Sequence, residues 1–224
     1  MLISKKVGGT IVCTEIRQEI INAALEIKKY GLIALSGGNV SVRLNDGSIL
    51  VTPSGMSYES MEPEDILRVH PNGKVIEGEL RPSVDTVALL YIYEHMPRVN
   101  SIIHTHQPYA TAVGIIGDEF PVACTTLANV TLGAIPVAPY SAAASEWMGR
   151  ETVNHIGDKR AVILKHHGVV TVGETLKEAL YAAIYMEEAA KCYLAAKAAG
   201  NVALMTPEQV AEAVETFKDY GQKK

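Results

Sequence analysis

The stretch Asn39-Val-Ser-Val-Arg-Leu-Asn-Asp-Gly-Ser-Ile-Leu-Val-Thr52 decides the architecture. Two β-rich runs flank Asn45-Asp46-Gly47, and such turn chemistry between strand-like runs is the signature of a hairpin. A second turn at Pro71-Asn72-Gly73 separates strand-like Ile66–His70 from Lys74–Ile76. Hairpins make neighbouring strands antiparallel, so the pattern points away from a strict βαβ array.

Helical periodicity surrounds these hairpins. From Thr14 to Tyr30, residues Ile16, Ile20, Ala23, Ala24 and Ile27 form one apolar stripe. Thr14 is placed to cap that helix, and Gly31 suits the left-handed residue that follows it. Pro82-Ser83 opens a second helix running to about His95, with Ser83 as its expected cap and Asp85 in its first turn. Ser101–Thr105 reads as a buried strand, the segment from Gln107 to about Ile115 as a helix, and Pro121–Pro139 as further strand material. Helices are then expected at Glu146–His155 and Glu174–Ala199, and from Pro207, after the cap Thr206, to about Tyr220. Between them, Ala161–Val172 reads as a strand containing Gly168. The expected fold is α/β: a single domain with a mixed, mainly antiparallel central sheet flanked by helices.

Composition narrows the function. The 224 residues are 48% hydrophobic and 20% charged, which suits a packed core and not a disordered chain. One domain over 1–224 is expected, with a core at about 14–205 and a C-terminal helix and tail at 206–224. A net charge of −5 without a basic block recommends neither nucleic acid nor an anionic membrane as partner. Met1–Thr10 lacks the apolar stretch of a signal peptide, and no uncharged apolar run reaches about 18 residues. The three cysteines, Cys13, Cys124 and Cys192, have no metal-binding spacing and fit free thiols in a reducing cytoplasm.

The chemistry lies in the histidines. In His104-Thr105-His106, residues i and i+2 of a strand face the same way, so both imidazoles project together. Neutral imidazole nitrogens suit a cation such as Zn²⁺, although paired histidines are also common as ordinary surface residues. A second pair, His166-His167, precedes Gly168. Consecutive strand residues face opposite sides, so one of the two can join the first cluster, and Gly168 would permit a close approach. Asp85 offers a nearby carboxylate, which could equally serve the helix dipole. Three histidines, a carboxylate and an open position are what a catalytic zinc needs. The loops Ser36-Gly37-Gly38-Asn39 and Thr52-Pro53-Ser54-Gly55, with Ser83, supply backbone N–H groups and small polar side chains for a phosphate nest. Neither a Walker A motif nor G-x-G-x-x-G is present, so no nucleotide site is expected.

These motifs, in this order from about Thr14 to Tyr220, resemble the class II aldolase/adducin family. The resemblance implies one zinc per subunit on His104, His106 and His167. It implies acid/base chemistry at Asp85 and phosphate binding by Gly38, Asn39, Ser54, Gly55 and Ser83. It further implies a cytoplasmic homotetramer with sites between neighbouring subunits, acting on a small phosphorylated sugar. The reaction implied is retro-aldol cleavage of a ketose 1-phosphate of the L-fuculose 1-phosphate type, giving dihydroxyacetone phosphate and an aldehyde. Tyr220, in Phe217-Lys-Asp-Tyr220-Gly221, matches a functional tyrosine in the tail of the family's aldolases. Other features resemble the family's L-ribulose-5-phosphate 4-epimerases, notably Asp rather than Glu at 85 and the stretch Thr125–Asn129. Yet Asn129 stands where those epimerases carry a catalytic Asp, and an amide is neither acid nor base near neutral pH. Thr125 replaces an aldolase tyrosine, and Val84 replaces a phosphate-site serine. The alternatives are therefore epimerisation, dehydration or decarboxylation of another sugar phosphate on the same scaffold. A non-catalytic module like adducin would have no reason to keep three converging histidines.

Overall fold

The computed structural model describes residues 13–217. The central hairpin forms as expected: β1 (Asn39–Arg43) pairs antiparallel with β2 (Ile49–Val51), Arg43 opposite Ile49. The second hairpin adds β3 (Leu67–Val69) and β4 (Val75–Glu77). On the other side of β1 lie β5 (Ser101–Thr105), β9 (Gly168–Gly173), β8 (Ala161–Leu164), β7 (Ile135–Ala138) and β6 (Glu119–Phe120), completing a nine-stranded sheet. All neighbours are antiparallel except β7 and β8.

Helices cover both faces, and alternating residues of the central strands pack against one layer or the other. Ile49, Val51, Ile102, Val162, Leu164, Val170 and Val172 pack on one face against α2 (Thr86–His95) and α5 (Glu146–Ile156). Leu50 and Ile103 meet α1 (Thr14–Lys29) and α6 (Leu176–Ala199) on the other, where Ile163 and Val169 meet α3 (Pro108–Ile116) and α6. Burying each such side chain contributes about 1.5–3 kcal/mol, so the period-2 pattern fixes which face of every strand meets which helix. Thr175 and Glu178 form a reciprocal capping box at the start of α6, and α7 (Pro207–Phe217) follows Thr206 as expected. Among the described residues, no helix is long and apolar enough to cross a membrane.

Four local expectations are corrected. The residue capping α1 is Cys13, at φ 61, and Thr14 is already helical; Gly31 does take the left-handed conformation, at φ 72. Asp85, not Ser83, occupies the cap position of α2, and its side chain makes no capping bond. Pro121–Pro139 contains a helix, α4 (Thr125–Thr131), between β6 and β7. Its β-branched residues favour a strand locally. Leu127, Ala128 and Thr131 are nevertheless buried at helical spacing, and Thr131 Oγ1 donates to Leu127 O within the helix. Finally, Ala161–Val172 is not one strand. It folds back at Lys165–His167 into the antiparallel pair β8 and β9, with Leu164 opposite Gly168.

The topology brings one set of strand ends together. β5 and β8 finish where β1 and β9 begin, and β2, antiparallel to β1, finishes at the same edge. The N-terminus of α2 and the segment after β7 reach that edge too: Asp85 bonds both Asn39 and Ala144, and Lys165 N donates to Ala138 O.

Candidate metal centre and substrate loops

His104 is the last but one residue of β5, His106 lies just beyond the strand's end, and His167 comes from the β8–β9 turn. The rings lie 4.8 Å (His104–His106), 4.8 Å (His104–His167) and 5.3 Å (His106–His167) apart between centroids. One nitrogen from each lies within 4.8 Å of the others. The reading that one of the 166–167 pair joins the cluster holds, and that one is His167. The reason differs: His166 sits in the turn at φ 62, so turn geometry rather than strand alternation separates the two side chains.

The backbone sets the tautomer of His104. Its Nδ1–H donates to Val169 O at 2.9 Å, which leaves Nε2 with a lone pair. That Nε2 lies 3.1 Å from His106 Nε2. His167 Nδ1 is buried and has no hydrogen-bond partner among the described residues. Burial pushes His104 down to about 4, against the opposing pull of Asp85, and burial also lowers His106 and His167. All three are therefore neutral near pH 7, the form that ligates a metal. Converging neutral imidazoles with an orphaned ring nitrogen fit a borderline-soft divalent cation.

Glycine makes this proximity possible. A Cβ on Gly168 would stand 2.3 Å from Thr105 O, and one on Gly38, at φ +74, would stand 2.5 Å from His104 O. Both positions let another strand's backbone approach β5 where its histidines emerge.

Asp85 is buried beside the triad, with Oδ2 3.9 Å from His104 Nε2. Asn39 Nδ2 donates to that same Oδ2 at 3.0 Å, and Ala144 N donates to Oδ1 at 3.0 Å. The hydroxyl loops are joined to each other. Pro53 and Pro82 form an antiparallel bridge, Ser83 N donates to Thr52 O at 3.1 Å, and Ser54 N donates to Arg81 O at 2.9 Å. Ser54 and Gly55 are exposed, Gly55 at φ 71, while Ser83 is buried. Thr52 N donates to Val40 O, which ties this pair to the Gly38-Asn39 segment.

Two groups escaped the sequence reading. Buried Tyr58 donates its hydroxyl to Gly38 O at 3.0 Å and Gly37 O at 3.2 Å, clamping the glycine loop. Ala144 acts through its backbone, which no side-chain motif could reveal. Tyr220 lies outside the described residues. Asn129 lies on α4, and neither polar atom of its buried carboxamide has a partner among the described residues.

Comparison with known proteins agrees with this geometry. Residues 18–194 match the family model described as Class II Aldolase and Adducin N-terminal domain, and the chain belongs to that family. It is 35% identical over 208 residues to an L-fuculose phosphate aldolase of Haemophilus influenzae, covering 92% of this chain and 95% of that one. It is 30% identical over 207 residues to a 5-deoxy-D-ribulose 1-phosphate aldolase of Bacillus thuringiensis, covering 92% and 97%. A solved L-fuculose 1-phosphate aldolase superposes with a TM-score of 0.87 at 27% identity, covering 94% of this chain and 100% of that one.

Proposed function

We propose that this chain is a zinc-dependent aldolase that cleaves a ketose 1-phosphate of the L-fuculose 1-phosphate type into dihydroxyacetone phosphate and an aldehyde. The observation that carries this reading is the convergence of three neutral histidines and one doubly tethered carboxylate at a single edge of the sheet. The substrate class is supported by relatives at 30–35% identity whose names specify ketose 1-phosphates or fuculose phosphate.

Zinc, one per subunit on His104, His106 and His167, would supply the Lewis acid that polarises the ketose carbonyl. His104 offers Nε2 because its other nitrogen is occupied by Val169 O. Asp85 would move the proton to or from the carbon whose bond to the aldehyde is broken or made. The joined loops bearing Ser54, Gly55 and Ser83, with the Gly38 backbone beside them, would hold the phosphate. Tyr220 would serve the aldehyde oxygen. One catalytic unit spanning 1–224 and a cytoplasmic setting fit this role. Leu35 (84% exposed), Val84 (62%) and Tyr140 (65%) stand uncovered on the loops around the site, which supports a homotetramer with each site closed by a neighbouring subunit.

The test is to load the protein with zinc and supply L-fuculose 1-phosphate and, separately, L-ribulose 5-phosphate. Chelator-sensitive release of dihydroxyacetone phosphate from the first is expected. D-Xylulose 5-phosphate formed from the second, without release, would replace the aldolase reading by epimerisation. No product from either would remove both substrates and leave other sugar phosphates to be tried.

A further inference from the structure

The chain leaves β5 through His106 and turns into α3 at Gln107. Gln107 holds the cap position of α3, yet its side chain makes no capping bond. That side chain points inward instead: Oε1 accepts from Thr105 Oγ1 at 2.6 Å, and Nε2 donates to Ala183 O of α6 at 3.3 Å. Two N–H groups of the first turn of α3, the kind a cap would satisfy, are served from elsewhere. Tyr109 N donates to Glu187 Oε1 at 3.0 Å, and Ala110 N donates to Glu187 Oε2 at 2.9 Å. Glu187 stands on α6 and is 1% exposed. A buried carboxylate is costly and persists where donors satisfy both of its oxygens. Burial raises the pKa of Glu187, and the two backbone N–H groups oppose that shift.

The histidines are anchored unequally. The His104 ring is fixed by its own bond to Val169 O. Among the described residues, the His106 ring has one neighbour in hydrogen-bond range, His104 Nε2, and no bond to the backbone. The place of His106 therefore follows from its main chain, which runs directly into the corner that α6 holds at Gln107 and Glu187. We propose that Glu187 is a positioning residue for the metal: its carboxylate caps α3 in place of Gln107 and fixes the corner on which His106 stands. The proposal rests on the reading of His104, His106 and His167 as zinc ligands. The carboxylate is specific to this task, because each of its oxygens accepts one N–H. A glutamine would present its NH₂ group to one of the two donors. A ligand set works only when its members are held within about 0.5 Å of the productive geometry, so a loosened corner is read out at the metal.

Zinc affinity of the full-length protein, read by competition with a chromophoric chelator, tests this without turnover. Glu187→Gln should weaken zinc binding about ten-fold, the scale of one charge-assisted hydrogen bond. It should also shift the visible absorption of the cobalt-loaded protein, which reports ligand geometry. The control is Glu178→Ala, which removes the capping box of the same helix, beyond the end of β9 opposite His167. That variant should lower the melting temperature and leave zinc affinity and the cobalt spectrum as in the parent. A folded Glu187→Gln with parental affinity and spectrum would overturn the proposal and leave Glu187 a cap of α3 alone. The parent supplies a second test that needs no variant. Coupling between sites is reciprocal, so zinc should slow hydrogen exchange of the Tyr109 and Ala110 amides about ten-fold beyond any uniform slowing across the sheet. No such local slowing would overturn the proposal even if Glu187→Gln fails to fold. A parent that binds no zinc would overturn the metal reading and this proposal with it, whereas zinc binding without a response at Glu187 would overturn this proposal alone.

Discussion

Two turns of this sheet solve the same problem in opposite ways. The β1–β2 turn uses residues that favour reversal. Gly47 takes φ 83, Gly47 N donates to Leu44 O, and Asp46 Oδ1 accepts from both Ser48 N and Ser48 Oγ. The β8–β9 turn is built from Lys165, His166 and His167. It places a histidine at φ 62 and leaves His167 Nδ1 buried without a partner among the described residues. The first turn agrees with every local preference and carries no chemistry. The second departs from local preference and supplies a site residue. Local rules are relaxed where the backbone must present a functional group, and the surrounding sheet offsets the cost.

The contrast is open to breakage at both turns. The largest effect is expected at the metal: His106→Ala should abolish stoichiometric zinc binding and with it activity, measured by metal content after dialysis. Retained zinc would remove His106 from the cluster. Next comes Gly168→Ala, whose Cβ would press on Thr105 O. It should destabilise the fold by about 3 kcal/mol in denaturant titration, because backbone on both sides must move. Gly47→Ala, at the other turn, should cost only about 1 kcal/mol, the penalty of a left-handed residue, and leave zinc binding intact.

Acid should separate the two ends in order. In the metal-stripped protein, His104 is held at about 4, below the ordinary histidine value of 6.5. The unfolded chain therefore binds the proton first, so this contribution is complete above pH 6.5 and is lost as pH falls through about 4. Asp46 is held down to about 2 chiefly by Ser48, below its ordinary 3.8. Its contribution is present above 3.8 and is lost only as pH falls through about 2. Melting temperature followed against pH should drop first in the histidine window, and a His104→Gln variant should show a smaller first drop, with His106 and His167 keeping their share. The smallest effect is a gain: His166→Gly should stabilise by up to about 1 kcal/mol by removing the left-handed penalty, with zinc stoichiometry unchanged.

Legibility along the chain followed the same division. The Asn45-Asp46-Gly47 and Pro71-Asn72-Gly73 turns, the stripe of α1 and the buried strand β5 could be read directly, because each depends on neighbours within a turn or two. Helix α4 could not, since burial of Leu127 against α6 and Ala128 against α7 overrides the strand preference of its β-branched residues. The break between β8 and β9 was hidden because Lys165-His166-His167 carries no turn signature. At the candidate site, the structure brings together His104, His106 and His167, which the sequence had singled out, with Asp85 beside them. The bond from Asn39 to Asp85 spans 46 positions, and that from Ala144 to Asp85 spans 59, so neither could be read from local spacing.

The sequence by itself determined which segments are strands and helices in most of the chain, the mainly antiparallel character of the sheet, and the residue types able to hold a metal. Periodicity and turn chemistry act over a few residues, so they are written locally. Only the tertiary structure decided that β1, β5 and β9 bring their ends to one edge, that Asp85 is gripped by Asn39 and Ala144, and that the 52–55 and 81–83 loops are bridged. These are contacts between segments far apart in the chain, and they arise because burying both faces of the sheet leaves a single arrangement of its strands.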